Sequence, residues 1–471
     1  MVQASGLEKY NYIVNGSVSP VKAIFIISWP VLVEQILTTF VNYADTAMVG
    51  KLGAYATAAV SISNPVFMMV NGLTLALGVG ITTLLAQSVG ANDPETAKSL
   101  IRHAVLLMIW VGIPVSVISG TLSRLIPLWM GAEADVLDHA TVYNIITSFG
   151  RPFVIGLMIA GSAFRGCGDT RTPMVITLGM NCVNILGNYF LINPSHELSL
   201  YRFRLPLPGA GWGVAGAAAA TSLSQVLACL ALVLILFKRS GPFRISIHDS
   251  FRLNRRLIRP VMKISLPTML ERVCISISQI VVTASIASLG TAVVAANTLY
   301  LTAESMSFMP ALAFMTGITT VVGQCLGARK IKLAERYIYI TMAFSALLLS
   351  FIAALLFIFA RPILRFFTPD EQVIAIAQTC LRIVAFLQPI QVQAWVLAGA
   401  LRGAGDTRWS FYITALCSWL IRALGAVLVI RVFGFGLREA VFCMFADSTV
   451  RSLLLFMRMK TGKWKKRFAD L

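Results

Sequence analysis

The chain alternates long apolar stretches with short polar segments. Each apolar stretch reaches or exceeds the ~20 residues that a helix needs to cross a ~30 Å hydrocarbon core. Twelve such stretches occur, over residues 23–49, 56–85, 104–129, 140–164, 173–193, 212–237, 262–288, 293–325, 338–359, 373–400, 410–430 and 438–457. Alternating strands of ~10 residues are absent, so we expect helices as the only spanning element. The pattern predicts an all-α polytopic membrane protein with twelve transmembrane helices.

A polar phrase of seven residues occurs twice between the apolar stretches. RGCGDTR at 165–171 recurs as RGAGDTR at 402–408, and the same distance along the chain, here called the repeat offset, relates Pro30 to Pro267 and Gly53 to Gly290. A fixed offset at separated places indicates an internal duplication. Each copy contributes an even number of spans, so both copies enter the membrane from the same side. The sequence therefore predicts two six-helix lobes related by a pseudo-twofold along the membrane normal, with a substrate cleft between them.

This repeat sets the predicted domain organisation. Residues 1–237 form an N-terminal lobe, 238–261 a basic connector, 262–457 a C-terminal lobe and 458–471 a basic tail. In each copy the RGxGDTR phrase falls between the fourth and fifth spans, where we expect a tight turn. Gly166 and Gly403 are the glycines predicted to end the preceding helix in the left-handed conformation. Asp169 or Thr172 is predicted to cap the helix that follows.

Composition and charge exclude several classes of protein. Apolar residues make up 57% of the chain and charged residues 13%, and the mean hydropathy is +0.79, whereas soluble domains carry about 25% charged residues. The net charge of +19 would suggest nucleic acid as a partner, but 26 of the 39 Lys and Arg fall in segments predicted to be cytoplasmic. This is the positive-inside bias of a membrane protein with both termini in the cytoplasm. We expect the lipid bilayer, and no nucleic acid, as a partner.

Two polar stripes run along otherwise apolar helices. In the first span the residues step by four, four and three, and in the fifth by four, three and four, so each set lies on one helix face. The first stripe is Glu34, Thr38, Asn42 and Asp45, and the second is Thr177, Asn181, Asn184 and Asn188. Asp45 and Asn188 each lie five residues before the predicted outer turn, at the same depth. The stripes predict a coupling site of Asp45, Asn42, Thr177, Asn181, Asn184 and Asn188.

The chemistry of this site allows two coupling ions. A carboxylate with amide and hydroxyl oxygens suits a hard cation such as Na⁺, in which case Asp45, Asn184 and Asn188 are its ligands. Alternatively, Asp45 carries a proton and the amides hydrogen-bond either form. In a third interpretation, the amides only form hydrogen bonds between helices and take no part in ion coupling.

The second copy keeps the helices but not this site. The repeat offset places Val282 opposite Asp45 and Ile421 opposite Asn184. Glu271 repeats Glu34, and we predict that both, with Gln391, line the substrate cleft. Arg422 is expected to pair with Asp447 or Glu439 as a structural ion pair rather than as a substrate site.

Together these motifs resemble the multidrug and toxic compound extrusion (MATE) family. The resemblance rests on WPVLVEQ and VNYADTAMVG in the first span, both RGxGDTR turns, NILGNY in the fifth span, SWLIRA in the eleventh and the GKWK tail. It implies two six-helix lobes, alternating access, and export of organic compounds in exchange for Na⁺ or H⁺, with Asp45, Asn184 and Asn188 as the cation-coupling centre. Some members of the family carry a second acidic pair, and the corresponding positions in this chain are Ile275 and Gln391. One branch of the family has an aspartate at the position that Asn188 occupies here.

We therefore expect a secondary active efflux transporter in the cytoplasmic membrane rather than an enzyme. No nucleophile–base pair, metal-ligand spacing or GxxxxGK[ST] phosphate loop occurs in the sequence, so the coupling energy should come from a transported Na⁺ or H⁺ and no resident cofactor is expected. Small organic compounds are the expected substrates, and a monomer is the expected state. A flippase for a lipid-linked saccharide is the alternative function, and it would need a central cavity rich in arginine.

Overall fold

The computed structural model describes residues 13–15, 18–200, 203–238, 244–246, 249, 254–465 and 468, without the side chains of 65–66 and 195–208. Parts of three predicted segments lie outside the described residues. These are 1–12, 16–17 and 201–202 of the N-terminal lobe, 239–243, 247–248 and 250–253 of the basic connector, and 466–467 and 469–471 of the tail.

Twelve helices in the described part of the chain are long and apolar enough to cross a membrane, which confirms the predicted fold class. They are α1 Pro20–Gly50, α2 Ala54–Gly90, α3 Pro94–Thr121, α5 Ala134–Gly166, α6 Arg171–Ile192, α7 Gly213–Lys238, α8 Arg255–Ala287, α9 Thr291–Gly327, α10 Ile331–Ile358, α12 Glu371–Gly403, α13 Thr407–Val432 and α14 Leu437–Lys460. Two π-helical stretches, Cys417–Ala423 and Leu428–Val432, lie within α13.

Three features differ from the predicted spans. The stretch 104–129 is two helices, because α3 ends at Thr121 and a short helix, α4, covers Leu125–Trp129. In the second copy, α11 (Ala360–Phe367) follows α10 in the same way. Hydropathy averaged over a span does not show either break, because Ser123 and Arg124 stand in an otherwise apolar stretch and Phe359 is itself apolar. Strands β1 (Pro194–Leu200) and β2 (Phe203–Ala210) pair as an antiparallel hairpin between α6 and α7, which the span count did not predict.

The helices pack into two compact units. The first unit falls within residues 33–81 and 94–259, and the second comprises the described residues up to 32 together with 82–93 and those from 260 onward. In the first unit α5 packs against α3 and α7, and in the second unit α12 packs against α9, α10 and α14. The lobe boundaries drawn from the repeat stay a prediction.

The close packing of α9 on α12 depends on glycine. A Cβ atom on Gly403 would lie 2.5 Å from the Thr319 carbonyl oxygen, and one on Gly399 would lie 2.5 Å from that of Met315. Such distances are far below van der Waals contact, so only glycine allows the two backbones to approach. The end of α12, which carries the second RGxGDTR phrase, is thereby fixed against α9.

The glycine predicted to end the helix in each RGxGDTR phrase was the wrong one. Gly166 and Gly403 are the last residues of α5 and α12, and the positive φ angles belong to Gly168 (86°) and Gly405 (79°). The amide of Gly168 donates to the Arg165 carbonyl oxygen at 2.9 Å, and the following amide reaches back five residues at 3.0 Å. This is a Schellman C-cap, which requires the left-handed residue two positions after the last helical one. Asp169 then accepts the Thr172 amide at 3.1 Å, as predicted.

Candidate coupling and substrate site

The centre of the predicted site lies between α1 and α6. The Asn188 amide nitrogen donates to the Asp45 carboxylate oxygen Oδ1 at 2.6 Å. With its nitrogen turned toward the carboxylate, Asn184 donates to Oδ1 at 2.9 Å and to Oδ2 at 3.3 Å, while its oxygen accepts from the Thr221 hydroxyl at 3.2 Å. Asp45 is half-buried, whereas Asn184 and Asn188 are buried. Two amide donors therefore stabilise the carboxylate.

One acceptor in this cluster is left over. The side-chain oxygen of Asn188 is buried and has no hydrogen-bond partner in the described part of the chain. A buried polar atom without a partner is energetically unfavourable, and in native proteins it commonly marks a place that another atom occupies during function. The Asn188 oxygen can accept a hydrogen bond or coordinate a cation.

Asp45 and Asn188 line a cavity of about 420 Å³ in the first unit. Asn42, which the stripe also predicted, lines the same cavity but forms no described bond to Asp45. Asp45 and Arg151 are the only acidic and basic residues in the described lining. Aromatic and polar side chains complete the wall, among them Asn64, Phe67, Asn71, Tyr143, Thr147, Thr221 and Gln225.

The lower half of the predicted coupling set belongs to a different cluster. The Thr177 hydroxyl donates to the Glu34 carboxylate at 3.4 Å, and the Arg165 guanidinium lies 3.5 Å from the same group. Asn181 is buried, and its amide nitrogen has no partner among the described residues. The structure thus brings Asn184 and Asn188 to Asp45, and it places Thr177 with Glu34 and Arg165.

The second unit contains the repeat of this cluster. Glu271 accepts from the Arg402 guanidinium at 3.0 Å and from the Thr414 hydroxyl at 3.3 Å. All three residues stand one repeat offset after their counterparts in the first unit. The first arginine of each RGxGDTR phrase therefore binds the glutamate of the first helix in its own copy. The sequence had predicted no partner for these arginines, and it missed Thr414.

The three residues predicted to line the substrate cleft have partners or neighbours of their own. Glu34 lies in the first unit, and Glu271 and Gln391 lie in the second. Glu271 borders a cavity of about 40 Å³, too small for an organic molecule. Gln391 is buried beside Glu304, a fully buried acid that the amides of Gln391 and Gln388 face. The cleft role of these three residues stays a prediction.

Arg422 pairs with Asp447 rather than with Glu439. The Arg422 Nε atom lies 2.9 Å from an Asp447 oxygen, and Arg451 lies 2.5 Å from the same oxygen. Glu439 instead accepts the backbone amide of Gly436, ahead of α14. Asp447 is completely buried, so the two arginines are held by one carboxylate.

The described residues contain no cluster of three or more His, Cys, Asp or Glu side chains that could hold a metal ion. Any cation at Asp45 would therefore depend on amide and hydroxyl oxygens. These fit Na⁺ better than a transition metal, because hard alkali cations prefer oxygen ligands.

Comparison with known proteins places this architecture. The MatE family model matches residues 30–190 and 267–428, two segments whose first residues differ by the repeat offset. A probable multidrug resistance protein NorM of Thermotoga maritima is 29% identical over 454 residues, covering 95% of this chain and 93% of that protein. An uncharacterized transporter, YisQ of Bacillus subtilis, is 24% identical and covers 94% of each chain.

Solved structures agree in fold. A MOP superfamily transporter from Pyrococcus furiosus superposes with a TM-score of 0.87 at 24% identity, covering 98% of this chain and 99% of that one. The outward-facing conformation of a multidrug resistance MATE family transporter gives the same TM-score at 23% identity, with the same coverage. The family match spans both copies of the repeat, and the chain therefore belongs to the MatE family of multi-pass membrane transporters and is not an enzyme.

Proposed function

We propose that this protein is a secondary active efflux transporter that exports organic, often cationic compounds in antiport with Na⁺ or H⁺ by alternating access. The observation that carries the proposal is the Asp45 carboxylate, held by Asn184 and Asn188 on the wall of a cavity of about 420 Å³. Relatives named as probable multidrug resistance proteins support drug compounds as substrates.

The amide cluster suits either coupling ion. A proton on Asp45 would turn one carboxylate oxygen into a donor, and the unpaired Asn188 oxygen is an acceptor for it. A Na⁺ ion would use the same Asn188 oxygen, an Asp45 oxygen and, after rotation of its amide, the Asn184 oxygen as ligands. In both cases the leftover acceptor gains a partner when the positive ion arrives.

Because the cavity has a single acidic residue in its described lining, binding of the coupling ion and binding of a cationic substrate exclude each other. Asp45 can neutralise one positive charge at a time, so a cationic substrate and the coupling ion compete for it. Binding of either changes the affinity for the other by the same factor, which is the reciprocity that exchange requires. Uptake of the ion from outside then releases the compound, and loss of the ion inside restores the site.

The remaining expectations are part of the same proposal. The protein works as a monomer in the cytoplasmic membrane with both termini inside, and it needs no resident cofactor beyond the transported ion. A flippase for a lipid-linked saccharide, the alternative, would bind an anionic pyrophosphate. Arg151 is the only basic residue in the described lining of the cavity, and the relatives' names give the flippase no support.

Transport by purified protein in liposomes tests the proposal. We expect export of a permanently cationic dye to follow an imposed Na⁺ or pH gradient, with the two gradients varied one at a time, and to fall to background in Asp45→Asn. Asp138→Asn is the matched control, because Asp138 is an exposed acid elsewhere in the first unit. Gradient-driven export by Asp45→Asn at the wild-type rate would refute the proposed centre. Export without either gradient would refute ion antiport.

A further inference from the structure

Arg151 occupies an unusual place for a charged residue. It lies near the middle of α5, its side chain is 4% exposed, and it lines the same cavity as Asp45. Charged groups at this depth in a membrane helix are costly, and they generally serve a ligand or a partner charge. The proposed coupling mechanism gives Arg151 no task.

No described protein group neutralises this guanidinium. The described residues provide Arg151 with no hydrogen bond and no ion pair, and its buried Nε and Nη1 atoms have no partner. The guanidinium lies over the Phe67 ring, whose centroid is 3.7 Å from the guanidinium carbon. Stacking on a ring uses the face of the guanidinium and leaves its N–H groups free in the plane. An acceptor that reached them would therefore meet donors that no described protein group holds.

Asp45 does not supply that acceptor. No ion pair joins Asp45 to Arg151 in the described part of the chain, although both line the cavity and the half-buried Tyr143 is within electrostatic reach of both. Asp45 already receives two amide hydrogens from Asn184 and Asn188. The cavity thus presents a fixed acid and a separate, unpaired base.

Arg151 is also not part of the duplicated framework. The repeat offset places Gln388 at its position in the second copy, and Glu304 at the position of Phe67. The helix pair therefore folds in the second unit without a cation at this point. A role in the scaffold shared by both copies does not account for Arg151.

We propose that Arg151 binds an acidic group of the transported compound, so that the preferred substrates are amphoteric molecules with a carboxylate facing Arg151 and a positive group facing Asp45. The inference rests on the proposed function and specifies its substrate class. A planar guanidinium with free in-plane donors matches the two oxygens of a carboxylate. An occupant of this kind would give both the arginine and the acid a partner in one binding event.

Binding of two dyes to detergent-purified protein tests the proposal. The probes are a rhodamine that carries a free carboxylate and its methyl ester, which differ in that negative charge and in one methyl group. Wild-type protein should bind the carboxylate form more tightly. Arg151→Gln should weaken binding of the carboxylate form at least about tenfold, the typical effect of losing a charged hydrogen bond, and should leave ester binding within about twofold. Arg151→Lys should fall between the two.

Arg382→Gln is the matched control. Arg382 is also an arginine in a membrane helix stacked on an aromatic ring, that of Phe357, but it lies in the second unit outside this cavity. We expect it to bind both dyes as the wild type does. Retained ester binding by Arg151→Gln shows that the variant is folded. If Arg151→Gln does not fold, Arg151→Lys takes its place. A weaker preference for the carboxylate form in Arg151→Lys than in the wild type then supports the role of Arg151, and an unchanged preference contradicts it.

The outcomes separate this inference from the proposed function. Equal loss of both dyes in Arg151→Gln, an unchanged preference, or a wild-type preference for the ester would each overturn the role of Arg151 while leaving ion-driven export intact. Conversely, an Arg151-dependent preference in binding, with neither dye exported under a Na⁺ or pH gradient, would support the inference and refute the proposed antiport.

Discussion

The two units carry the same ion-pair cluster in different settings. In the first unit Glu34 and Arg165 are 3.5 Å apart, and each side chain is 14% exposed. In the second unit Glu271 and Arg402 are 3.0 Å apart, and each is 4% exposed. Both pairs join the first helix of a copy to the arginine that opens its RGxGDTR turn. Duplication has retained the contact, but its burial and its energetic weight differ.

The interiors differ much more. Phe67 and Arg151 of the first unit correspond to Glu304 and Gln388 of the second, so a cation on a ring is replaced by an acid beside an amide. Asp45 corresponds to Val282, which is buried among apolar residues. The comparison shows that the groups holding the turns repeat, whereas the groups facing the cavities do not. Function therefore has to be assigned to each unit separately, from the residues that differ between the two copies at equivalent positions.

The largest expected difference between the units concerns their glutamates. Glu271→Gln leaves the buried Arg402 without a counter-charge, which should cost about 3 kcal/mol of the free energy of unfolding in detergent. Glu34→Gln removes the longer and more exposed pair and should cost about 1 kcal/mol. Glutamine keeps the hydrogen bond to the neighbouring threonine in both cases. Equilibrium unfolding of the two variants side by side measures the difference.

A double variant sharpens this result. Replacing Arg402 by Met together with Glu271→Gln removes both charges, so much of the lost stability should return, because no unpaired guanidinium remains. Equal losses in Glu271→Gln and Glu34→Gln would mean that burial does not set the weight of these pairs.

A smaller effect is expected at Glu304. This carboxyl is fully buried, the amides of Gln388 and Gln391 are its polar neighbours, and the nearby Arg422 is already bound to Asp447. Glu304→Gln keeps the shape of the side chain and breaks no ion pair, so the free energy of unfolding should change by less than about 1 kcal/mol. The unfolding midpoint, compared with that of Glu271→Gln, provides the measurement. A loss as large as that of Glu271→Gln would show that Glu304 is paired in the folded protein.

The sequence was sufficient to predict the spanning helices and their two repeated sets, because the length of each apolar stretch and the repeat offset can both be read directly from the sequence. It was not sufficient for the break at Leu122–Arg124, where Ser123 and Arg124 stand in an otherwise apolar stretch, or for the hairpin after α6, about which hydropathy is neutral. The choice between the two glycines of each RGxGDTR phrase depends on where the helix ends, which local pattern does not fix to a residue.

For the site, periodicity identified the correct helix face but not the partners along it. Thr177 and Asn188 share a face, yet eleven positions separate them by about 16 Å along the axis, so one stripe serves two clusters. Matching depth, which paired Asp45 with Asn188, was the stronger criterion. The same offset test would have revealed the Glu–Arg–Thr clusters, because Thr177 and Thr414 are repeat partners. Arg151 gave no such signal, since its partner Phe67 lies on another helix.

A third repeated contact has reversed its charges. Lys98 on α3 lies 3.3 Å from Asp249 of the connector. Its repeat partner Glu335 on α10 pairs with Lys465 in the tail. Each unit thus binds the segment that follows its last helix at the same point, with acid and base exchanged. The attraction is retained while acid and base exchange places, because the Coulomb energy of a pair is the same whichever partner carries the positive charge.

This contact should give the smallest effect. The Ser246 backbone amide, at 2.9 Å, and the Lys98 ammonium together hold the pKa of Asp249 below its ordinary value. The stabilisation is therefore present at neutral pH and lost as the pH falls through the lowered pKa. Asp249→Asn should cost less than about 1 kcal/mol, which corresponds to less than about fivefold faster hydrogen exchange at the Ser246 amide. Lys98→Met should cost less, because it leaves the hydrogen bond in place. An Asp249→Asn effect that grows toward acid pH would contradict this account, because a protonated Asp249 and an asparagine carry no charge.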